Sequence, residues 1–226
     1  MIRAVLMDVD NTILDFEKCS RWALYSAANK MDIFLPENTF PVFMSVSDKL
    51  WKEYEDGKIT REEIFEIRWK VVFSVVGLDA DAQTFDRYFL KYLGRSTEQV
   101  NGARDILKYL SERCDVYTAS NGIAASQKNR LEEAGLLGFL TGTFTSESIG
   151  YAKPQAGFYR YCLDNMEIRY PPHEILAVGD SVRADIEGAK AFGIQTCLFD
   201  RQGIYDCGEC PADFVIRRLE ELKEIV

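Results

Sequence analysis

Residues 6–16, LMDVDNTILDF, place two carboxylates at the end of an apolar run. The run, residues 2–7, is typical of a buried strand, and Asp8 and Asp10 follow it directly. Alternate residues of an extended strand point to the same side, so both carboxylates are expected on one side of the chain. Two like charges that close repel each other unless a cation or a proton neutralises them. The segment therefore predicts a site that holds a divalent cation, a proton or both.

Strand-like and helix-like segments alternate over most of the chain. The strand-like runs are residues 2–7, 115–119, 142–145, 175–178, 194–199 and 214–216. The helix-like stretches between the later runs are residues 102–112, 123–134, 155–166 and 184–192. Such alternation predicts an α/β fold in which helices cover both faces of a parallel sheet.

The long segment between the first two strand-like runs shows helical periodicity only. A structureless loop of that length would be unusual in a compact domain. Thr60 is followed three residues later by Glu63, a capping-box pattern that marks the start of a helix. We therefore predict about four helices in a domain of residues 17–95, inserted into a sheet domain of residues 1–16 and 96–226.

The charge of the chain argues against some classes of partner. Its formal net charge is −9, with 36 acidic residues against 27 Lys and Arg. A nucleic-acid polymer is a poor partner because no excess of cations exists to displace its counterions. No apolar run approaches the ~20 residues that cross a bilayer, so no membrane association is expected. The first residues lack a signal-peptide pattern, and we expect a cytoplasmic protein.

The six cysteines are scattered along the chain. Four of them lie in predicted helices or strands: Cys19, Cys114, Cys162 and Cys197. This distribution indicates reduced thiols rather than a disulfide framework. Cys207 and Cys210 form a C-x-x-C, but a zinc site needs more ligands and His173 is the one histidine. Two unpaired loop thiols are the favoured interpretation, and a redox pair is the alternative.

Polar groups follow four of the predicted strands, at the edge where ligands of open parallel sheets collect. They are Asp8 and Asp10, then Ser120, Asn121 and Gly122, then Lys153 and Pro154, then Gly179, Asp180 and Ser181, with Asp185 shortly after. Singly, each has a plainer explanation, such as a turn or helix cap, a surface lysine or a favourable first-turn charge. Together they indicate one site with four carboxylates, a lysine and a hydroxyl.

These residues make the sequence similar to the haloacid dehalogenase-like (HAD) hydrolase superfamily. Its D-x-D-x-T motif is matched by residues 8–12, and its strand-ending Ser or Thr by Ser120. Its lysine, commonly followed by proline, is matched by Lys153, and its G-D-S-x-x-x-D motif by residues 179–185. The resemblance implies a Rossmann-like, doubly wound parallel sheet core with an inserted all-helical cap of the C1 type.

The resemblance also implies phosphoryl transfer, because dehalogenase members lack the second aspartate, here Asp10. In such members Asp8 is the nucleophile that forms an aspartyl-phosphate, and Asp10 is the general acid and base. The implied Mg²⁺ ligands are Asp8, Asp180 and the Asp10 backbone carbonyl, with Asp185 bound through water or steadying Lys153. We expect Asp10 to be protonated at rest, which neighbouring carboxylates would favour.

The remaining groups of the motifs are expected to bind the phosphoryl oxygens of the substrate. These groups are Ser120, Lys153 and the backbone N–H of Asn121 at a helix start. Within the superfamily, residues 8–16, 50–64 and 120–122 resemble the branch of house-cleaning nucleoside 5′-monophosphatases, often active on pyrimidine nucleotides. Members of that branch more often carry Thr where this chain has Ser120, a departure that keeps the hydroxyl.

The expected partner is a small phosphate ester, bound by a monomer or a homodimer. Alternatives that stay open are a phosphatase for sugar phosphates or phosphoglycolate, a phosphomutase, and a catalytically silent binding protein. Six cap-region residues are of a type that could contact a substrate: Phe16, Trp22, Trp51, Arg61, Arg68 and Trp69. Aromatic residues at helical spacing are more often core, so Phe16, which directly follows the catalytic loop, is the preferred contact.

Overall fold

The computed structural model describes residues 1–205 and 210–226. The chain divides into two compact units. One comprises Met1–Phe16 and Thr97–Val226, and the other comprises Glu17–Ser96. No helix among the described residues combines the length and the apolar character that crossing a membrane requires.

Six parallel strands form one sheet within the described part of the first unit. They are β1 (Ala4–Met7), β2 (Asp115–Ser120), β3 (Gly142–Thr145), β4 (Ile175–Gly179), β5 (Gln195–Phe199) and β6 (Phe214–Ile216). The order across the sheet is β3-β2-β1-β4-β5-β6, with Ala4 opposite both Asp115 and Ile175. The strand order therefore reverses between β1 and β4, which is where ligands of doubly wound sheets bind.

The α-helices of both units are numbered along the chain. They are α1 (Phe16–Met31), α2 (Thr39–Glu55), α3 (Arg61–Val76), α4 (Ala82–Leu93), α5 (Ala103–Ser111), α6 (Ala124–Glu133), α7 (Ser146–Ile149), α8 (Ala156–Asn165) and α9 (Gly188–Lys190). Short 3₁₀ turns occupy Leu137–Phe139, Pro172–Glu174 and Leu219–Glu224, and a π-helical turn occupies Val182–Glu187. The predicted capping box is confirmed, since the side chain of Thr60 accepts from the Glu63 N–H and Glu63 accepts from the Thr60 N–H.

Both faces of the sheet are buried, which explains why its strands read as continuous apolar runs. Val5 and Met7 of β1 belong to one hydrophobic cluster, whereas Leu6 belongs to the other. Ile106 of α5 packs in the first cluster and Phe158 of α8 in the second. Because successive strand residues point to opposite faces, helices cover both sides of the sheet. The predicted doubly wound, Rossmann-like α/β fold is confirmed.

Two local predictions differ from the structure in their bounds or placement. The helix predicted over residues 184–192 begins earlier, as the π-helical turn Val182–Glu187, and ends with α9 at Lys190. Such wide turns are frequent at functional sites, and this one carries Asp185. Cys114 lies just before β2 rather than inside a helix or strand. Cys207 lies outside the described residues, so the proposal of two unpaired thiols with Cys210 stays a prediction.

The second unit is built around an aromatic core. Trp69 of α3 is fully buried, and its ring stacks on Phe43 of α2 with centroids 4.8 Å apart. The rings of Phe85 and Phe89 from α4 pack on Trp69 in T-shaped arrangements, with centroids 4.6 and 5.0 Å from that of Trp69. Trp69 is therefore a core residue, as the favoured interpretation of its helical spacing predicted.

A buried ion pair ties α3 to α4 inside this unit. Arg68 donates from Nε to Asp86 Oδ1 at 2.6 Å, and both side chains are almost inaccessible to water. Burial lowers the pKa of Arg68 and raises that of Asp86, although the attraction between the two groups opposes both shifts. Arg68 is thus engaged in holding two helices together, which assigns it a structural role.

Replacing Asp86 by Asn is expected to lower the free energy of unfolding by about 3 kcal/mol, because the buried guanidinium loses its counter-charge. Urea unfolding followed by circular dichroism measures this change. The exposed Asp79→Asn is the matched control and should stay within about 0.5 kcal/mol of the parent protein. Equal effects of the two substitutions would contradict a stabilising role for the buried pair.

Candidate active site

The loop after β1 positions the two aspartates of the first motif. The Asp8 N–H donates to the Val178 carbonyl at 2.8 Å, which anchors Asp8 where β1 meets β4. Asn11 then adopts a left-handed conformation, with φ of 63°, which Asn tolerates better than most residues. The N–H groups of Ile13 and Leu14 both donate to the Val9 carbonyl and close the turn. Local turn chemistry therefore holds Asp8 and Asp10 at the edge of the sheet.

Lys153 joins the strand ends into one polar centre. Its ammonium donates to Asp8 Oδ1 at 2.7 Å, to Asp185 Oδ1 at 2.6 Å and to the Ala119 carbonyl at 2.6 Å. These three acceptors match the three protons of an ammonium group. Burial alone would lower the pKa of Lys153, but the carboxylates of Asp185 and Asp8 outweigh it and raise the pKa well above its ordinary value. The surroundings of Lys153 therefore favour its positively charged form.

Three carboxylates could hold a metal ion beside Lys153. Oxygens of Asp8, Asp180 and Asp185 lie within 4.8 Å of one another. Desolvation and the nearby charge of Asp185 raise the pKa of Asp180 to about 7, and burial raises that of Asp8 although Lys153 opposes the shift. Crowded carboxylate oxygens of this kind are the hard ligands that Mg²⁺ prefers. The residues present therefore fit a magnesium ion, and Asp185 joins the two expected side-chain ligands, Asp8 and Asp180, in this group.

Gly179 makes room for Asp185. A Cβ atom at Gly179 would lie 2.1 Å from Asp185 Oδ2, which is too short for a contact between non-bonded atoms. The same Oδ2 accepts from the Ser181 N–H at 3.1 Å, while the Tyr159 hydroxyl donates to the Ala184 carbonyl at 2.5 Å. The small residue and these hydrogen bonds hold the π-helical turn against the end of β4. The spacing of the fourth motif thus has a steric reason.

Ser120 and Asn121 lie at the carboxyl end of β2, as predicted. The Ser120 hydroxyl oxygen accepts from the Gly122 N–H and from Gln127 Nε2, each at 3.0 Å. The Asn121 side chain bonds to the backbone of Lys153, accepting from its N–H at 2.8 Å and donating to its carbonyl at 3.1 Å. The side chain of Asn121 therefore orients the Lys153 segment, a contact that the sequence did not indicate.

Asp10 has partners that sequence reasoning missed. Arg130 donates from Nη1 to Asp10 Oδ1 at 2.7 Å, and Gln127 donates from Nε2 to Asp10 Oδ2 at 2.6 Å. Two donors from α6 thus hold the two oxygens of the Asp10 side chain. The available signal was the three-residue spacing of Gln127 and Arg130, which places two polar side chains on one face of the helix that follows Ser120.

Phe16, the predicted substrate contact near the cap region, stays a prediction. Phe16 is the first residue of α1 and is half-buried. Trp22 is 46% exposed and meets the ring of Tyr92 edge-on, and Trp51 meets that of Tyr54 in the same way.

The sequence and the fold of the chain match those of known proteins. The haloacid dehalogenase-like hydrolase family matches residues 2–193. The chain belongs to this family. HAD-hydrolase YfnB of Bacillus subtilis is 30% identical over 224 residues, which cover 99% of this chain and 95% of YfnB. A magnesium-bound crystal structure of YfnB matches with a TM-score of 0.91 at 29% identity, covering 99% of this chain and 98% of that one.

Two relatives of this hydrolase have names that state a substrate. Pyrimidine 5′-nucleotidase PynA of Streptococcus pneumoniae is 31% identical over 197 residues, or 87% of this chain and 83% of PynA. Ribulose-1,5-bisphosphate 5-phosphatase of Halopiger xanaduensis is 27% identical over 241 residues and covers 100% of both chains. The resemblance to the superfamily, inferred from the four motifs, is confirmed, and so is the resemblance to the nucleotidase branch, inferred from residues 8–16, 50–64 and 120–122.

Replacing Lys153 by Met is expected to destabilise the metal-free protein by about 3 kcal/mol, because Asp8 and Asp185 lose their buried counter-charge. Thermal unfolding in EDTA measures the loss, and added Mg²⁺ should restore part of it by binding the same carboxylates. Lys128→Met, an exposed change on α6, is the control. Equal midpoints for the two variants in EDTA would contradict the central role of the Lys153 charge.

Proposed function

We propose that this hydrolase is a Mg²⁺-dependent phosphatase of small phosphate monoesters, with nucleoside 5′-monophosphates as the leading substrate class. The observation that supports this most directly is the convergence of Asp8, Asp180 and Asp185 within 4.8 Å, beside the buried ammonium of Lys153. A phosphate dianion repels a carboxylate nucleophile, so a site with fixed positive charge next to the carboxylate suits this reaction.

In the proposed reaction Asp8 attacks the phosphorus atom and forms an aspartyl-phosphate. Asp10, in its protonated form, gives its proton to the departing oxygen, and the alcohol leaves. Asp10 then takes a proton from the water that attacks the aspartyl-phosphate, which releases inorganic phosphate and regenerates Asp8. General acid–base help of this kind contributes about 10² to 10⁴-fold in rate. The proton that leaves with the alcohol is thus replaced by one from water, so Asp10 ends the cycle protonated, as it began it.

The other groups of the site bind and orient. A bound Mg²⁺ would be held by Asp8, Asp180 and Asp185 and would supply charge neutralisation for the phosphoryl oxygens. Lys153 orients Asp8 through Oδ1 and contributes its charge. Ser120, the last residue of β2, and the backbone N–H of Asn121, which precedes α6, are the proposed contacts for the phosphoryl oxygens.

The proposed substrate class rests on relatives. PynA is named as a pyrimidine nucleotidase and shares 31% identity with most of this chain. The alternative substrate class, phosphorylated sugars, is favoured by the full-length match to the ribulose-1,5-bisphosphate 5-phosphatase. The same phosphoryl site serves both classes, so groups beyond it must discriminate between them.

Asp8→Asn is expected to lower phosphate release by at least about 10³-fold, because an amide is a poor nucleophile. Release of inorganic phosphate in Mg²⁺, with and without excess EDTA, measures the loss. Asp164→Asn, an exposed change on α8, should leave the rate unaltered. Activity that survives Asp8→Asn would show that the nucleophile is assigned to the wrong residue, and activity in EDTA would remove the metal from the proposal.

A substrate panel is expected to show kcat/KM for dUMP, dTMP and UMP at least about tenfold above that for purine monophosphates, ribose 5-phosphate and phosphoglycolate. Phosphate release and isomer formation are followed together, since a phosphomutase would return the phosphoryl group to a sugar. A flat profile would reduce the proposal to general ester hydrolysis. A preference for sugar phosphates would replace the nucleotidase assignment.

A further inference from the structure

We infer that Arg130 and Gln127 on α6 form a positioning pair that orients Asp10 for proton transfer to the leaving group. The inference rests on the proposed phosphatase function, in which Asp10 is the general acid. Its starting point is that the two residues hold different oxygens of one carboxylate. Arg130 donates to Oδ1 at 2.7 Å and Gln127 donates to Oδ2 at 2.6 Å.

The burial of α6 shows that this contact is a built feature. Arg130 is 1% exposed and Gln127 is 4% exposed. The other buried residue of α6 is the apolar Leu131. A buried guanidinium destabilises the fold unless it is paired and hydrogen-bonded. Its ion-pair partner here is Asp10, which lies 120 positions away in the sequence. An apolar side chain would fill the same place without that cost, so packing alone does not account for an arginine.

The pair is itself held in place by the loop after β2. Arg130 donates from Nη1 to Gln127 Oε1 at 3.1 Å, and Gln127 donates from Nε2 to the Ser120 hydroxyl at 3.0 Å. A Cβ atom at Gly122 would lie 2.4 Å from Gln127 Nε2, so the glycine leaves space for the amide over the loop. One chain of hydrogen bonds thus runs from the predicted phosphate-binding hydroxyl to the predicted general acid.

The chemical consequence is control of orientation. A carboxyl group held at one oxygen can still rotate about its side-chain bonds, whereas donors at both oxygens restrain that rotation. Misplacement of a catalytic group by about 1 Å can cost about 10²-fold in rate. The pair therefore determines where the proton of Asp10 is delivered.

The test compares esters whose leaving groups differ in their need for a proton. Ethyl phosphate requires protonation of a strongly basic alkoxide, whereas p-nitrophenyl phosphate releases a stable phenolate. For Arg130→Met, kcat/KM is expected to fall by about 10²-fold with ethyl phosphate and by less than about tenfold with p-nitrophenyl phosphate. Because kcat/KM reports the steps up to departure of the leaving group, later hydrolysis of the aspartyl-phosphate does not mask the difference.

Three further variants sharpen the result. Arg130→Lys keeps the charge and should recover part of the loss with ethyl phosphate. Gln127→Met removes the second donor but leaves the ion pair of Asp10 and Arg130, so it tests the proposal even when Arg130→Met fails to fold. Lys128→Met removes an exposed charge from the same helix and should behave as the parent protein with both esters.

The outcomes separate this inference from the proposed function. Equal losses with both esters, or no loss with either, would show that the pair has a structural role only. A rise in kcat/KM would show that the pair restrains Asp10 away from the substrate, which also overturns the inference. If the parent protein with Mg²⁺ releases phosphate from neither ester, the proposed function itself fails before any variant is compared.

Discussion

The buried ammonium of Lys153 is the interaction on which the rest of the site depends. It contacts the end of β1 through Asp8, the end of β2 through the Ala119 carbonyl, and the π-helical turn through Asp185. Asp8 and Asp185 are buried beside each other and could not both stay charged without a cation between them or next to them. One lysine thus allows two separate chain segments to bring carboxylates to a single point, beside a backbone carbonyl from a third.

The sheet explains why those segments meet there. Its strand order reverses between β1 and β4, so connections leave in opposite directions and a crevice remains at their carboxyl ends. Asp8 follows β1 and Asp180 follows β4, while Gly179 leaves the space that Asp185 occupies. The strand order creates the crevice, and the absence of a side chain at Gly179 lets Asp185 approach the end of β4 closely. In the proposed reaction the same crevice receives the metal ion and the phosphoryl group.

The two aspartates of the first motif have contrasting surroundings, although one residue separates them. Asp8 is paired with an ammonium inside a cluster of carboxylates, which suits a nucleophile that shares a metal ion. Asp10 is paired with a guanidinium and an amide from α6, which suits a group whose direction matters more than its metal affinity. Different partners therefore divide the proposed work of nucleophile and acid between two chemically identical side chains.

The sequence by itself determined the elements whose cause is local. Apolar runs predicted β3 and β6 with the bounds they have, and Thr60 with Glu63 predicted the start of α3, because strand burial and helix capping act over a few residues. Motif spacing also indicated that groups after four strands share one edge. Only the tertiary structure decided the partner of Asp10, because an arginine in a helical pattern normally predicts a solvated surface. Packing of α6 onto the sheet buries Arg130, and a buried charge must find its counter-charge wherever the fold brings one within reach.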